Sequence, residues 1–364
     1  MKVLFVATVM IHFKSFHLPY MRWFQKQGWK VHVAANKDIE LPYCDKKYVI
    51  PIERSPYKLN NIVAYTQLKE ILHQNKYDMI HCHTPMGGVL ARLAARDTKK
   101  SGTKVFYTAH GFHFFKGAPM MYWLIYYPIE RFLARYTDVL ITINKEDYAR
   151  AQQFRAKKIV YVPGVGVDTQ RFNSINIDRS VKRAMLGITE GKLVLLSVGE
   201  LSNNKNHEVV IKGIAKLREH NIIYVICGCG QLDGYLKNLA RKYRVDVRLL
   251  GFREDISEIC AASDIFVFPS LREGLPVALI EAMATGLPVV CSNIRGNTDL
   301  IENGKGGYLV EPEDVEGFAK AIEKTVENRS LMGHFNTEII KHFDLMSVKE
   351  EMKKIYGNGM IKKY

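Results

Sequence analysis

The chain has 364 residues, long for one hydrophobic core and comfortable for two. With 47% hydrophobic and 24% charged residues, and no repeat or low-complexity tract, its composition excludes a disordered or fibrous protein. Lys and Arg number 52 against 37 acidic residues, a formal charge of +15 that asks for an anionic partner. No basic arm, helix-turn-helix, zinc finger or ribonucleoprotein motif accompanies that charge. Nucleic acid is therefore disfavoured, leaving a phosphorylated ligand or an acidic membrane surface.

Met1 to Thr8 carries an apolar run too short for a signal peptide, so a cytoplasmic, reducing location is expected. Short apolar runs that read as buried strands then alternate with helical spacing: Lys2 to Ala7, Lys30 to Ala34, Met79 to Cys82, Lys104 to Ala109, Val139 to Ile143 and Ile159 to Val162. Between the fourth and fifth, Ala118 to Leu133 is greasy but interrupted by Pro128, Glu130 and Arg131, and too short to span a bilayer. Pro163 to Asp168 is a Pro/Gly-rich hinge. A second strand series follows at Leu193 to Val198, Ile223 to Cys227, Val247 to Leu250, Ile265 to Phe268, Val289 to Cys291 and Gly307 to Val310. The pattern predicts an α/β protein of two parallel-sheet domains, residues 1–165 and 166–345, with a final helix over 346–364 packing back on the first. Ligands of such sheets bind beyond the strands' carboxyl ends, so chemistry is expected in an interdomain cleft. The six cysteines, Cys44, Cys82, Cys227, Cys229, Cys260 and Cys291, are scattered and read as small buried hydrophobes.

The segment Pro269 to Val290 is the most informative. Gly274 permits a tight turn and Pro276 suits the first turn of a helix, whose free N–H groups and positive dipole end accept a phosphate. Glu273 and Glu281 lie about 80° apart around that helix axis and can face one ligand. As an isolated pair they would read as a helix-capping acid and a solvated residue. The apolar setting of Glu281, from Val277 to Met283, instead predicts a specific partner for its carboxylate.

Glu273 and Glu281 with seven residues between them, in an E-G-L-P context, resemble the retaining glycosyltransferases of family 4. That resemblance covers most of the chain and implies the GT-B fold, two facing Rossmann-like domains. It also implies that Glu281 holds the nucleotide ribose, while Glu273, with Lys205 one of the catalytic groups, and the backbone N–H groups of Gly274 and Leu275 hold the donor sugar, with Pro276 among the donor-binding residues. In the second constellation, Ser197 to His207, the resemblance makes Gly199 and Lys205 contacts of the donor diphosphate. Glu200 stands where similar enzymes carry Arg, leaving Lys205 as the main cation, with Arg253 and Arg272 as the remaining basic groups nearby in sequence. Phe252 and Arg253, in the turn Gly251 to Glu254, correspond to the base-binding turn, and Gly296 to a glycine that lets the backbone approach the donor.

In the first domain, Tyr107 to Gly117 follows a strand. A lone histidine is more often structural, but the resemblance places His110 against the donor sugar as a catalytic group and His113 on the acceptor side. The Gly-free loop Thr8 to His17, with His12 and His17, also faces the acceptor in such enzymes. Cys227 to Gly234 imitates a dinucleotide fingerprint with its last Gly one place late, and reads as a turn. His81 and His83 share one strand face, but no third ligand stands at metal-binding spacing, so no metal is expected.

Phe13, Lys14, Phe16, Met21, Arg22, Trp23, Phe24, Lys26 and Lys30 mix aromatic and basic residues, and Phe114 to Tyr127 adds an aromatic, Met-rich stretch. These suggest peripheral docking on the inner face of an acidic membrane. The resemblance implies metal-independent retaining transfer, without cofactor, from a nucleotide-sugar, expected to be a UDP-hexose or UDP-N-acetylhexosamine, to a lipid-linked saccharide in bacterial surface-polysaccharide synthesis. A sugar-nucleotide epimerase and a non-catalytic nucleotide-sugar-binding subunit are the competing readings. Nucleotide-sugar incubated without acceptor separates the first, by its epimerisation.

Overall fold

A computed structural model describes residues 1–98, 102–173, 175, 177–217 and 221–360. The chain forms two compact units, Met1–Val165 together with the segment from Val348, and Gly166–Ser347.

Unit 1 has strands β1 (Lys2–Val9), β2 (Lys30–Asn36), β3 (Lys46–Val49), β4 (Met79–His83), β5 (Lys104–Ala109), β6 (Val139–Thr142) and β7 (Lys158–Tyr161). Its helices are α1 (Ile11–Phe16), α2 (Leu18–Lys26), α3 (Asn60–Gln74), α4 (Pro85–Ala94), α5 (Met120–Leu133) and α6 (Lys145–Ala151). All strand pairs are parallel, in the order β3-β2-β1-β4-β5-β6-β7. Residues 3–8 of β1 and all of β4 are buried, as expected for strands covered by helices on both faces. Phe13, Met21 and Phe24 of α1 and α2 pack on one face; Ala64, Leu68, Leu90 and Ala91 of α3 and α4 pack on the other. The edge strand β3, Lys-Lys-Tyr-Val, is mostly exposed and has no apolar run, which is why the periodicity above misses it.

Burial corrects two expectations. Phe13, Met21 and Phe24 are core side chains and Phe16 and Trp23 are half-buried, so part of the aromatic half of the first proposed membrane patch is off the surface, although Lys14, Arg22, Lys26 and Lys30 are exposed. Cys229 is exposed and Cys44 half-buried, while the other four cysteines are buried.

Unit 2 has strands β8 (Leu193–Val198), β9 (Ile222–Cys227), β10 (Asp246–Leu249), β11 (Ile265–Phe268), β12 (Val289–Ser292) and β13 (Gly307–Val310). Its helices are α7 (Thr169–Asn173), α8 (Arg179–Met185), α9 (His207–Ile214), α10 (Asp233–Tyr243), α11 (Ile256–Ala262), α12 (Val277–Ala284), α13 (Asn297–Leu300) and α14 (Val315–Ile339). The parallel order is β10-β9-β8-β11-β12-β13. Both sheets contain the doubly wound 3-2-1-4-5-6 arrangement, with winding reversed between β1 and β4 and between β8 and β11.

The last helix, α15 (Leu345–Met360), returns to unit 1. Val348, Met352, Ile355 and Tyr356, spaced four, three and one residues apart along one helical face, join the core that holds Phe5, Phe24 and Phe106. The Tyr356 hydroxyl lies 2.9 Å from His81 Nδ1, and its ring stacks on Trp23 at 5.8 Å. Tyr356→Ala is expected to destabilise unit 1 by about 3–5 kcal/mol. Tyr356→Phe, losing only the hydroxyl, should cost about 1 kcal/mol. Urea unfolding of both variants checks the order.

Candidate functional site

In unit 2 the chain leaves β8 through Gly199, passes the exposed Glu200, makes a single 3₁₀ turn at Asn203–Lys205 and enters α9 through Asn206, whose φ is 51°. This turn folds Lys205 back over Gly199, where a Cβ would stand 2.9 Å from Lys205 Cε. Lys205 Nζ lies 4.6 Å above the Phe268 ring at the end of β11. It donates to Glu273 Oε1 at 2.7 Å. Two groups expected to grip a ligand separately are thus an ion pair at the β8/β11 reversal.

The loop holding Glu273 is pinned from two sides. Leu271 N donates to Asn204 O at 2.8 Å, Asn204 Nδ2 to Arg272 O at 3.1 Å, and Arg295 Nε to Glu273 O at 3.1 Å. Gly296, at φ 84°, is required because a Cβ there would come within 2.4 Å of Gly274 O. That close contact with the Gly274 loop, inside the protein, accounts for the glycine expected to approach the donor. Pro276 is the N-cap of α12 and not its first helical residue, and no side chain caps the first-turn N–H groups. They remain donors for an anion.

Glu281 sits on α12 with buried Leu279, Ile280, Ala282 and Met283 around it. Burial pushes its carboxyl up to about 7, with Arg171 pulling weakly the other way. No hydrogen-bond partner for that carboxylate occurs among the described residues. Phe252, 77% exposed, projects from the turn after β10. Arg253 grips Asp255 with Nε at 2.8 Å and Nη2 at 2.6 Å, while Lys182 donates to the same carboxylate at 2.6 Å. Its charge is already matched within the protein. Gly228 and Gly230 explain the false fingerprint: a Cβ would lie 1.8 Å from Gly199 O and 2.3 Å from Leu201 O respectively, so these glycines let two loops touch.

In unit 1 the sequence shows His110 as a lone imidazole, whereas the fold makes it one of four. His12 on α1, His17 between α1 and α2, His83 ending β4 and His110 beyond β5 converge where β1 and β4 reverse their winding. His12 Nε2 and His17 Nε2 lie 3.1 Å apart, and His83 Nδ1 and His110 Nε2 lie 3.4 Å apart. Desolvation holds all four neutral, His12 down at about 4 and the others well below the ordinary histidine value. Sequence spacing near His83 gave no third ligand because the others come from distant strand ends.

His113 stacks on Tyr126 at 4.5 Å between centroids. It lines an apolar groove of about 550 Å³ with Leu59, Ile62, Met86, Val89 and Ile129. A second cavity of about 420 Å³ shares His113, Tyr126 and Met86 and reaches His12 and Thr84. Near the groove floor lies an ion pair that the sequence reading missed. Arg92 Nη1 is 2.8 Å from Glu130 Oε2, both buried, and the guanidinium lies 3.8 Å over Tyr107. An Arg within the apolar run Met86 to Ala94 was the available signal. Met120, Met121, Leu124 and Phe132 of α5 are exposed beside exposed Arg131 and Arg135. Among the described residues no helix is long and apolar enough to cross a membrane.

Residues 2–144 match the family model "Glycosyl transferase 4-like" and residues 178–342 match "Glycosyl transferases group 1". "Putative glycosyltransferase EpsD" of Bacillus subtilis (strain 168) is 43% identical, with 99% of this chain and 97% of that protein covered. An Escherichia coli protein named UDP-Gal:alpha-D-GlcNAc-diphosphoundecaprenol alpha-1,3-galactosyltransferase is 31% identical over 84% of this chain and 81% of its own. The structure of Anabaena Alr3699/HepE in complex with UDP is 19% identical and superposes with a TM-score of 0.80, covering 98% of this chain and 100% of that one. Further relatives are named for capsular polysaccharide and lipopolysaccharide core biosynthesis. The chain therefore belongs to the glycosyltransferases, as an enzyme of the bacterial exopolysaccharide, capsule and lipopolysaccharide type with the GT-B fold.

Proposed function

We propose that unit 2 binds a UDP-sugar and that the enzyme transfers its sugar, with retention, to a lipid-linked saccharide held by unit 1 at an acidic membrane surface. The observation that carries the donor half is Glu281, a half-buried carboxylate with no hydrogen-bond partner among the described residues, on the helix whose first turn is uncapped. A ribose diol supplies the two donors that such a carboxylate lacks. The α12 N–H groups and Lys205 then meet the diphosphate, Lys205 exchanging Glu273 for phosphate oxygens and leaving Glu273 to accept from sugar hydroxyls. Phe252 offers its exposed ring to the base. The names of the E. coli relative and of the Anabaena complex support uridine as the nucleoside.

In the transfer the bond from the anomeric carbon to the diphosphate oxygen breaks, the electron pair staying on that oxygen. The acceptor hydroxyl forms the new bond on the same face, and its proton passes to the departing phosphate. Lys205 and the helix end stabilise the leaving charge, so the reading needs no metal at the diphosphate. For the acceptor half, the apolar groove beside His113 suits a hydrophobic acceptor, and the exposed α5 face with its arginines suits an anionic bilayer. The E. coli relative's diphosphoundecaprenol acceptor is of that chemistry.

Lys205→Ala and Glu281→Ala are expected to lower transfer from UDP-sugar about 100-fold or more with the circular dichroism spectrum unchanged. Near-normal activity in either removes that residue from the donor site. Leu124→Glu with Met121→Glu should abolish sedimentation with anionic liposomes at low salt while leaving transfer to a soluble acceptor analogue intact. Undiminished sedimentation would remove the α5 face from the membrane reading.

Glu281 also predicts a pH dependence. In the folded chain it keeps its proton up to about 7, against an ordinary value of 4.5. Unfolding releases that proton between the two values, so the raised carboxyl erodes stability as pH climbs through this window, by at most about 3 kcal/mol, and no further above it. Glu281→Gln should lack this slope and be the more stable protein at pH 8. Urea midpoints from pH 4.5 to 8 measure the difference.

A further inference from the structure

Four histidines of unit 1, among them His110, which the family resemblance sets against the donor sugar, form a cluster that this role alone does not explain. We propose that His12, His17, His83 and His110 bind one late first-row divalent cation, best zinc, through one ring nitrogen each.

The geometry is that of a ligand shell. The four ligand nitrogens lie within 4.8 Å of one another. Ligands at about 2.0–2.1 Å in a tetrahedron stand roughly 3.3 Å apart. Two of the pairs already have that spacing, at 3.1 and 3.4 Å. At such distances two ring nitrogens cannot both carry protons; they share one proton or one cation.

The fifth neighbouring imidazole, His81, is excluded because both of its nitrogens are engaged, Nε2 with Thr108 Oγ1 and Nδ1 with the Tyr356 hydroxyl, each at 2.9 Å. It serves as packing, its ring centroid 4.1 Å from that of His83. Four imidazoles without a carboxylate select zinc, cobalt, nickel or copper over magnesium or calcium, which take oxygen ligands. His12 lines the 420 Å³ cavity, which gives an ion and a water molecule a way in. Bound metal would tie the segment after β1 to the ends of β4 and β5, three stretches far apart in sequence.

The test needs no substrate, so it stands apart from the proposed transfer reaction. Chain without a histidine tag is stripped with EDTA, dialysed and titrated with zinc chloride by calorimetry, and with cobalt(II) by its visible spectrum. One zinc per chain is expected, with intense tetrahedral cobalt bands displaced by zinc and a raised thermal midpoint. His12→Gln, at the half-buried edge of the cluster, should weaken zinc binding at least tenfold while its thermal midpoint in EDTA stays at the wild-type value. His83→Gln should abolish the cobalt bands. Folded wild-type chain that takes up neither ion, or His12→Gln and His83→Gln chains that bind zinc as tightly as wild type, would overturn the site.

Discussion

In each sheet, neighbouring parallel strands send their connections in opposite directions, and that reversal fixes where side chains can gather. At β1/β4 and at β8/β11 the departing connections diverge, so the carboxyl edge there is the place where loop side chains can gather. Most of the groups of chemical interest lie at one of these two points or on the elements beside it, Phe252 after β10 being an exception. Lys205 leaves β8 and Glu273 follows β11, while His12 and His17 follow β1 and His83 ends β4. The same constraint, applied twice, yields a cationic and acidic site in one unit and a nitrogen-rich one in the other.

What distinguishes the two places is how their polar groups are satisfied in the absence of ligand. In unit 2, Lys205 and Glu273 neutralise each other at 2.7 Å, and the loops carrying them are tied together by main-chain bonds at 2.8 and 3.1 Å. Each charge is thus held in place without being left bare, which lowers the reorganisation needed when an anion arrives. Glu281 has no such hydrogen-bonded companion among the described residues, and burial raises its carboxyl instead. In unit 1 the Arg92–Glu130 pair lies near the groove floor, where losing either partner would strand a buried charge.

The architecture was legible because parallel strands covered on both faces must be nearly continuous runs of apolar residues, and twelve such runs stand out from Lys2 to Val310. Only β3 escaped, being a short polar edge. Glu273 and Glu281 were readable together because turn and helix adjoin in sequence there, and Lys205 through the resemblance of its own loop after β8. The pairing of Lys205 with Glu273 was not, since that bond spans 68 residues. The histidine cluster was hidden for the same reason, its members arriving from three strand ends, and the aromatic stripe of α1 and α2 misled because helical periodicity does not say which side faces water. The glycines at 228, 230 and 296 make the point in reverse: each imitates a ligand-binding turn, yet each answers a contact with the protein's own backbone.

The return of α15 orders events during synthesis. Val348, Met352, Ile355 and Tyr356 belong to the core of unit 1, yet they are translated after all of unit 2. A ribosome that has finished residues 1–165 has therefore produced a sheet whose outer face, around Phe5, Phe24 and Phe106, still lacks its covering helix. The first unit to be made is the last to be closed, and it must wait, with that apolar face exposed, while its neighbour folds.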